Sequence, residues 1–128
     1  GAHIGSSGNF AYIGSSGYGA HIGSSGNGAH IGSSGNFAYI GSSGNGAHIG
    51  SSGDGARINS TGADSVICCA AHGCAVRAKK GSWITLSEWE DGKPVCVRTV
   101  QVDGETIKED VWYKLENGAF VEAYNDED

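Results

Sequence analysis

Residues 19–27 read GAHIGSSGN and residues 28–36 read GAHIGSSGN again, and the fold turns on how this doubled nonapeptide is read. The same frame runs outward in both directions. Before it stand GAHIGSSGN (1–9) and FAYIGSSGY (10–18). After it come FAYIGSSGN (37–45), GAHIGSSGD (46–54), GARINSTGA (55–63), DSVICCAAH (64–72) and GCAVRAKKG (73–81). Position four is Ile in eight units and Val76 in the ninth. Position two is Ala in seven units, then Ser65 and Cys74. Position six is Ser in seven, then Cys69 and Ala78. Small, large apolar and small residues at alternate positions mark a short strand with one buried face. Position three, which holds His3, Tyr12, His21, His30, Tyr39, His48, Arg57 and Val66, then projects outward. Ser-Gly-Asn at positions seven to nine supplies turn chemistry, since Gly and Asn tolerate positive φ.

One such unit cannot bury its own face, but stacked units can, in parallel register at a spacing of about 4.8 Å. Residues 1–81 are therefore predicted to form a parallel β-solenoid. Two units per coil give an 18-residue, two-sided roll and three give a 27-residue prism. Small Ala and Ser beside a single Ile suit the thin core of the former. A flexible Gly/Ser linker would not return an Ile at a fixed interval. A helix would carry Gly at positions five and eight of most units, at about 1 kcal/mol each against Ala.

From Ser82 onward the pattern changes. SWITLSEW alternates as a strand, Asp91-Gly92-Lys93-Pro94 is a turn, and VCVRTVQV is a second strand. Asp103-Gly104 and Glu116-Asn117-Gly118 are turn signals on either side of DVWYKL, with AFVEAY after the second. Residues 82–128 thus read as a small antiparallel β-sheet, with Trp83, Trp89, Trp112, Tyr113 and Phe120 as its expected core. Such a sheet caps the last coil, whose strand edge is otherwise open. The first coil shows no comparable cap and the chain has no initiator Met. The reading at that end is a missing preceding domain or docking to another chain.

Charge is unevenly placed. Residues 1–53 contain no Asp, Glu, Lys or Arg, whereas residues 82–128 carry 12 acidic and 4 basic residues, a local balance of −8. Only Arg77, Lys79 and Lys80 form a basic knot between them. Nucleic-acid binding needs a basic face, so that class is excluded. No apolar run reaches membrane-spanning length and no signal-peptide pattern is present. Of the four cysteines, Cys68, Cys69 and Cys74 cluster and Cys96 stands apart. This is neither a disulfide framework nor a paired zinc motif. Cys69 and Cys74 occupy inward positions as small core fillers, and a disulfide between them is open. Cys68 faces the other way.

The ending KKGSWITLSEW followed by QVDGETIKEDVWYKLENGAFVEAY resembles that of a group of nonapeptide-repeat proteins (xAxIGSSGx) from bacteria and their phages. In that group the array precedes a VDGETIKxDxWYKLENGxFVE-type tail. The resemblance spans essentially the whole chain. It implies the solenoid architecture and a phage or bacterial source, and it supplies no catalytic residue; localisation is left open, with an extracellular or virion-associated setting favoured over a cytoplasmic one. The period is also similar to that of calcium-binding rolls, but those place an Asp in every turn. Here the turns offer Asn9, Asn27, Asn36 and Asn45 and a single Asp, Asp54, so calcium filling is not expected.

Chemistry-bearing groups are few. His3 and His21 would stack in one column of an 18-residue coil and His30 and His48 in the other. They are the metal candidates, although Tyr12, Tyr39 and Arg57 share the row and argue for a tolerant exposed position. Phe10 with Tyr12, and Phe37 with Tyr39, always occur together. They are expected to form outward aromatic pairs on one strand face, suited to contact with another chain or a glycan. Nothing orients a base beside a Ser or Cys nucleophile, so no enzyme activity and no cofactor are expected. The reading of the sequence is a structural or interaction protein, a rigid rod that self-associates as a filament or a surface or phage fibre. The alternatives are an ice- or ligand-binding solenoid and a His-array metal binder.

The assigned phase has a direct test. Ile31→Asp places an unpaired carboxylate in the inward column and is expected to cost several kcal/mol. His30→Asp, on the outward row, should stay within about 1 kcal/mol. Thermal unfolding followed by circular dichroism reads the difference, and equal losses would put the phase in error.

Overall fold

A computed structural model describes residues 3–123. Ala2 and Tyr124, which the sequence pattern assigns to the inward column and the last strand, lie outside the described residues. Each of the nine units contributes one strand: β1 (His3–Ser6), β2 (Tyr12–Ser15), β3 (His21–Ser24), β4 (His30–Ser33), β5 (Tyr39–Ser42), β6 (His48–Ser51), β7 (Arg57–Ser60), β8 (Val66–Cys69) and β9 (Ala75–Arg77). Four more follow: β10 (Trp83–Glu90), β11 (Lys93–Gln101), β12 (Trp112–Glu116) and β13 (Ala119–Glu122).

The odd-numbered solenoid strands stack in one parallel sheet, β1-β3-β5-β7-β9. The even ones stack in a second, β2-β4-β6-β8. Units eighteen residues apart sit in register, Ile4 on Ile22 on Ile40 on Ile58 and Ile13 on Ile31 on Ile49 on Ile67. The coil is therefore two-sided, as the thin core requires. Inward columns hold Ala20, Ala38 and Ala56 with Ile22, Ile40 and Ile58 on one side. Ala29 and Ala47 with Ile31, Ile49 and Ile67 line the other. Position six completes the interior. The buried hydroxyls of Ser24, Ser33, Ser42, Ser51 and Ser60 have no hydrogen-bond partner among the described residues. Backbone bonding continues around the corners, with Phe10 N–H donating to Asn27 C=O (2.8 Å) and Gly19 N–H to Asn36 C=O (2.8 Å).

The corners depart from the expected turn chemistry. Positive φ falls at position one, in Gly19, Gly28, Gly46, Gly55 and Gly73, and also in Phe10 and Phe37 at +60°. Position eight is Gly for a different reason. A Cβ on Gly26, Gly44 or Gly62 would collide with the carbonyl of the glycine one coil below. Position nine forms a side-chain ladder. Asn9 Oδ1 accepts from Asn27 N–H, Asn27 Oδ1 from Asn45 N–H, and Asn45 Oδ1 from Ala63 N–H, at 2.9–3.0 Å. On the other corner Asn36 accepts from Asp54 N–H (2.9 Å) and Asp54 from His72 N–H (3.3 Å). An Asn side chain fits here because its carbonyl reaches exactly one strand spacing, a fixed distance of about 4.8 Å.

The antiparallel C-terminal end is built as two hairpins rather than four strands in one sheet. Strand β10 continues the even sheet, parallel to β8, and β11 folds back antiparallel on β10. Strand β12 runs antiparallel on β9, and β13 returns on β12. The core consequently passes without a break from Ile22 through Val76, Ile84 and Leu86 to Tyr113 and Leu115. Trp112 and Tyr113 are buried as expected, Trp89 and Phe120 are half-buried, and Trp83 is exposed. The reason is phase: Ile84 and Leu86 face in, so Trp83, the first residue of β10, faces out. The segment between the hairpins is pinned by Asp103, whose carboxylate accepts from Glu105 and Ile107 N–H (2.9 and 3.0 Å). These backbone bonds hold its pKa below the usual aspartate value. Lys79 bonds Asp110 at 2.8 Å, and that bond with the aspartate charge raises the lysine pKa.

Two glycines separate backbone strain from collision. Gly28 and Gly46 share nearly the same φ (68° and 67°), but a Cβ on Gly28 would lie 2.7 Å from the Phe10 ring, while Gly46 has open space. Gly46→Ala is expected to lose about 1 kcal/mol to the left-handed backbone. Gly28→Ala should lose about 1 kcal/mol more by displacing the ring. Adding Phe10→Gly to Gly28→Ala should bring the loss back toward the Gly46→Ala value. Denaturant unfolding checks this; equal losses at Gly28 and Gly46 would remove the ring from the account.

Candidate functional site

Positions three, five and seven of every unit point outward, so each sheet presents three parallel rows. On the odd sheet the first row is His3, His21, Tyr39 and Arg57, and the second is Gly5, Gly23, Gly41 and Asn59. On the even sheet the first row is Tyr12, His30, His48, Val66 and Trp83, and the second is Gly14, Gly32, Gly50, Cys68 and Thr85. Glycine in the middle row leaves a shallow trough. On the odd sheet it is bordered by the ring row on one side and by Ser7, Ser25 and Ser43 on the other. The rows are continuous because each residue pairs in register with the one eighteen positions on.

Within the ring rows the coil period makes neighbours of residues eighteen apart. His3 and His21 are stacked at 4.9 Å with 3° between ring planes, and His30 and His48 at 4.7 Å with 18°. Tyr39 stacks on His21 at 6.1 Å, and Tyr12 meets His30 edge-on at 4.8 Å. The four histidines expected in two columns are thus brought together as two pairs, one on each face. Among the described residues no group of three or more His, Cys, Asp or Glu side chains is placed to hold a metal ion.

The aromatic pairs are arranged differently from expectation. Phe10 and Phe37 lie in the corner turns, at positive φ, and not on the strand faces that carry Tyr12 and Tyr39. The Phe10 ring covers Gly28 and the Phe37 ring covers Gly55 in the next coil, and Tyr18 meets Phe37 edge-on at 5.5 Å. Gly28 and Gly55, without a Cβ, leave room for these rings in the coil above. Phe10, Tyr12, Phe37 and Tyr39 are all exposed. Val66 is exposed as its position-three place predicts, and the sequence reading gave no direction to Tyr18, Val95 and Val97, which are exposed too. Tyr18 had a signal, as the one aromatic in the position-nine ladder. Val97 had none, because its outward direction follows from pairing opposite Ser87.

At the capped end a cleft of about 410 Å³ opens between His72, Glu88, Trp89, Lys114 and Glu116. Its polar groups are engaged in the fold. Glu88 accepts from Asn117 and Gly118 N–H (2.7 and 2.9 Å), and Trp89 Nε1 donates to Ser87 Oγ (2.8 Å). Glu88 therefore locks the β12–β13 turn against the tip of the β10–β11 hairpin. Beneath the cleft Cys69 and Cys74 form a disulfide, with Cα atoms 6.3 Å apart. Cys68 is an exposed free thiol on the even face and Cys96 a half-buried one.

The disulfide closes a short loop around the Ala70–Gly73 turn, and a loop of this size stabilises by about 2 kcal/mol through the unfolded chain. Reduction, or Cys69→Ala with Cys74→Ala, is expected to lower the melting temperature by several degrees while the strand signal persists. An unchanged melting temperature under reductant would deny the bond a stabilising part. No protein-family model, curated protein or solved structure matches this chain.

Proposed function

We propose that the protein is a structural and interaction protein, a rigid β-solenoid rod that associates with further copies of itself through its flat faces. The observation that carries this reading is the pair of outer surfaces. Each is flat, repeats at one period, and across residues 1–53 carries no Asp, Glu, Lys or Arg. Two such faces meet without like-charge repulsion, and a contact made by one coil is repeated by the next. Exposed rings at Phe10, Tyr12, Tyr18, Phe37 and Tyr39 provide apolar area for that contact. Further apolar surface continues at the capped end in Val66, Trp83, Val95 and Val97. A filament, or a surface or phage fibre, is the assembly this geometry suits, because surfaces that pair without closing propagate. No catalytic residue and no cofactor enter this reading.

The rows of Ser7, Ser25 and Ser43 beside a glycine trough also favour a second reading, a protein that matches a crystalline surface such as ice. Thermal hysteresis separates it from the first.

Sedimentation velocity over a concentration series, in EDTA, tests the association. Elongated species that grow with concentration are expected, and Tyr12→Ser with Tyr39→Ser should shift them toward monomer without changing the circular dichroism. A chain that stays monomeric at the highest concentration would overturn the proposal.

A further inference from the structure

We infer that each face carries half of a transition-metal site. The His3–His21 pair on the odd face and the His30–His48 pair on the even face each offer two imidazoles to a borderline divalent cation such as Zn2+. A facing pair from a second copy completes a four-imidazole centre. This rests on the face-to-face association proposed above and adds to it the ion that joins the faces.

The order of the units is the first ground. Position three runs His, Tyr, His, His, Tyr, His from the first unit to the sixth, and no two histidines eighteen residues apart touch in the linear sequence. The two-unit coil sorts this order into one adjacent pair on each side. His21 and His30, closest in sequence, go to opposite faces.

Geometry is the second. The paired rings lie side by side, 4.9 and 4.7 Å apart and close to parallel. Tetrahedral coordination with Zn–N bonds of 2.0–2.1 Å needs nitrogens roughly 3.4 Å apart. These side chains are exposed, so rotation about their own bonds closes that gap without moving the strands. The Gly5–Gly23 and Gly32–Gly50 rows beside them leave the rings standing above the surface, where an approaching face can reach them.

Ligand chemistry is the third. Imidazoles without a neighbouring carboxylate select zinc, nickel or copper over calcium or magnesium. Residues 1–53 hold no carboxylate side chain. Two imidazoles are also too few for a structural zinc site, which takes four protein ligands. Among the described residues no third His, Cys, Asp or Glu joins either pair. The missing two ligands have the same chemistry as the two present, and an identical face of another copy supplies them. Since the pairs lie on opposite faces, each chain joins two neighbours and the stack continues.

The test titrates ZnCl2 by calorimetry into the full chain carrying Cys68→Ser and Cys96→Ser, which removes the free thiols and keeps the Cys69–Cys74 bond. Sedimentation follows the same samples. Saturation is expected near one Zn2+ per chain, with growth beyond that seen in EDTA, the added growth being reversed when EDTA removes the zinc. His21→Gln should halve the zinc bound, to one Zn2+ per two chains, and limit the zinc-dependent growth to pairing through the even face, and His21→Gln with His30→Gln should abolish the heat and leave only the association seen in EDTA. Absence of heat, or heat undiminished in that double variant, would overturn the metal site. Binding of two Zn2+ per chain by a protein that stays monomeric would keep the imidazole pairs but overturn their completion by a second copy. Association in EDTA, measured separately, tells that failure from failure of the face-to-face reading itself.

Discussion

The whole structure hangs on one requirement: consecutive coils must stack by translation at the spacing of a β-ladder, about 4.8 Å, on every side at once. Backbone bonds impose that spacing along the strands and also at the corners, where Phe10 and Gly19 N–H groups donate to the next coil. Every side-chain choice in the repeat follows from it. Ile at position four fills the gap between two sheets, and Ala and Ser beside it keep the gap narrow. Gly at position eight lets corners meet backbone on backbone, and Asn at position nine spans one spacing with its side chain. Changing the length of a unit would shift Ile from the inward to the outward side of everything after it, as any register slip does. The array is therefore rigid because each residue answers to a neighbour eighteen positions away.

That same constraint decides how much of the fold was legible in the sequence. Inward and outward phase could be read from Ala, Ile and Ser alone, because alternation is local. The two-unit coil followed from side-chain size, which is also local. The seat of positive φ was not legible. Asn-Gly chemistry pointed to positions eight and nine, whereas Gly at position eight answers to the carbonyl below it and the left-handed residue is position one. Phe10 and Phe37 hid this, since a bulky residue at positive φ is uncommon. The C-terminal strands were found, but their partners were not. Turn signals join neighbours in sequence, while β10 on β8 and β12 on β9 are set by which sheet edge the last coil leaves free.

The outer faces show the same division. Each His, Tyr and Phe could be assigned a direction from its position in the unit, and for Tyr12 and Tyr39 that direction holds. Phe10 and Phe37 were misplaced onto the strand because position one, two residues before position three, shares its parity only if the strand has already begun. It begins at Tyr12 and Tyr39. Which rings meet is a property of the coil, so the His3–His21 and His30–His48 pairs needed the 18-residue period before they could be drawn. The Cys69–Cys74 disulfide stands between these cases. Both residues were placed inward by phase, but bonding depended on how tightly the Ala70–Gly73 turn closes, which no spacing rule supplies.

A surface made this way is arranged differently from an enzyme cleft. A catalytic site concentrates unlike groups at one point and holds them by strain or burial. Here like groups are spread along a line, and the cleft at the capped end spends Glu88 and Trp89 on holding the two hairpins together. Each outward contact is weak because the side chain is exposed and the row is shallow. Repetition changes the arithmetic. Once one coil of a rigid rod is in place against a partner, the next coil is already positioned, and its contact forms at high effective concentration. Near-identity of the units then matters for the exterior as much as for the core. Under the proposed association, any coil that broke the row would interrupt the match between faces, just as a one-residue change in a strand would interrupt the column of Ile.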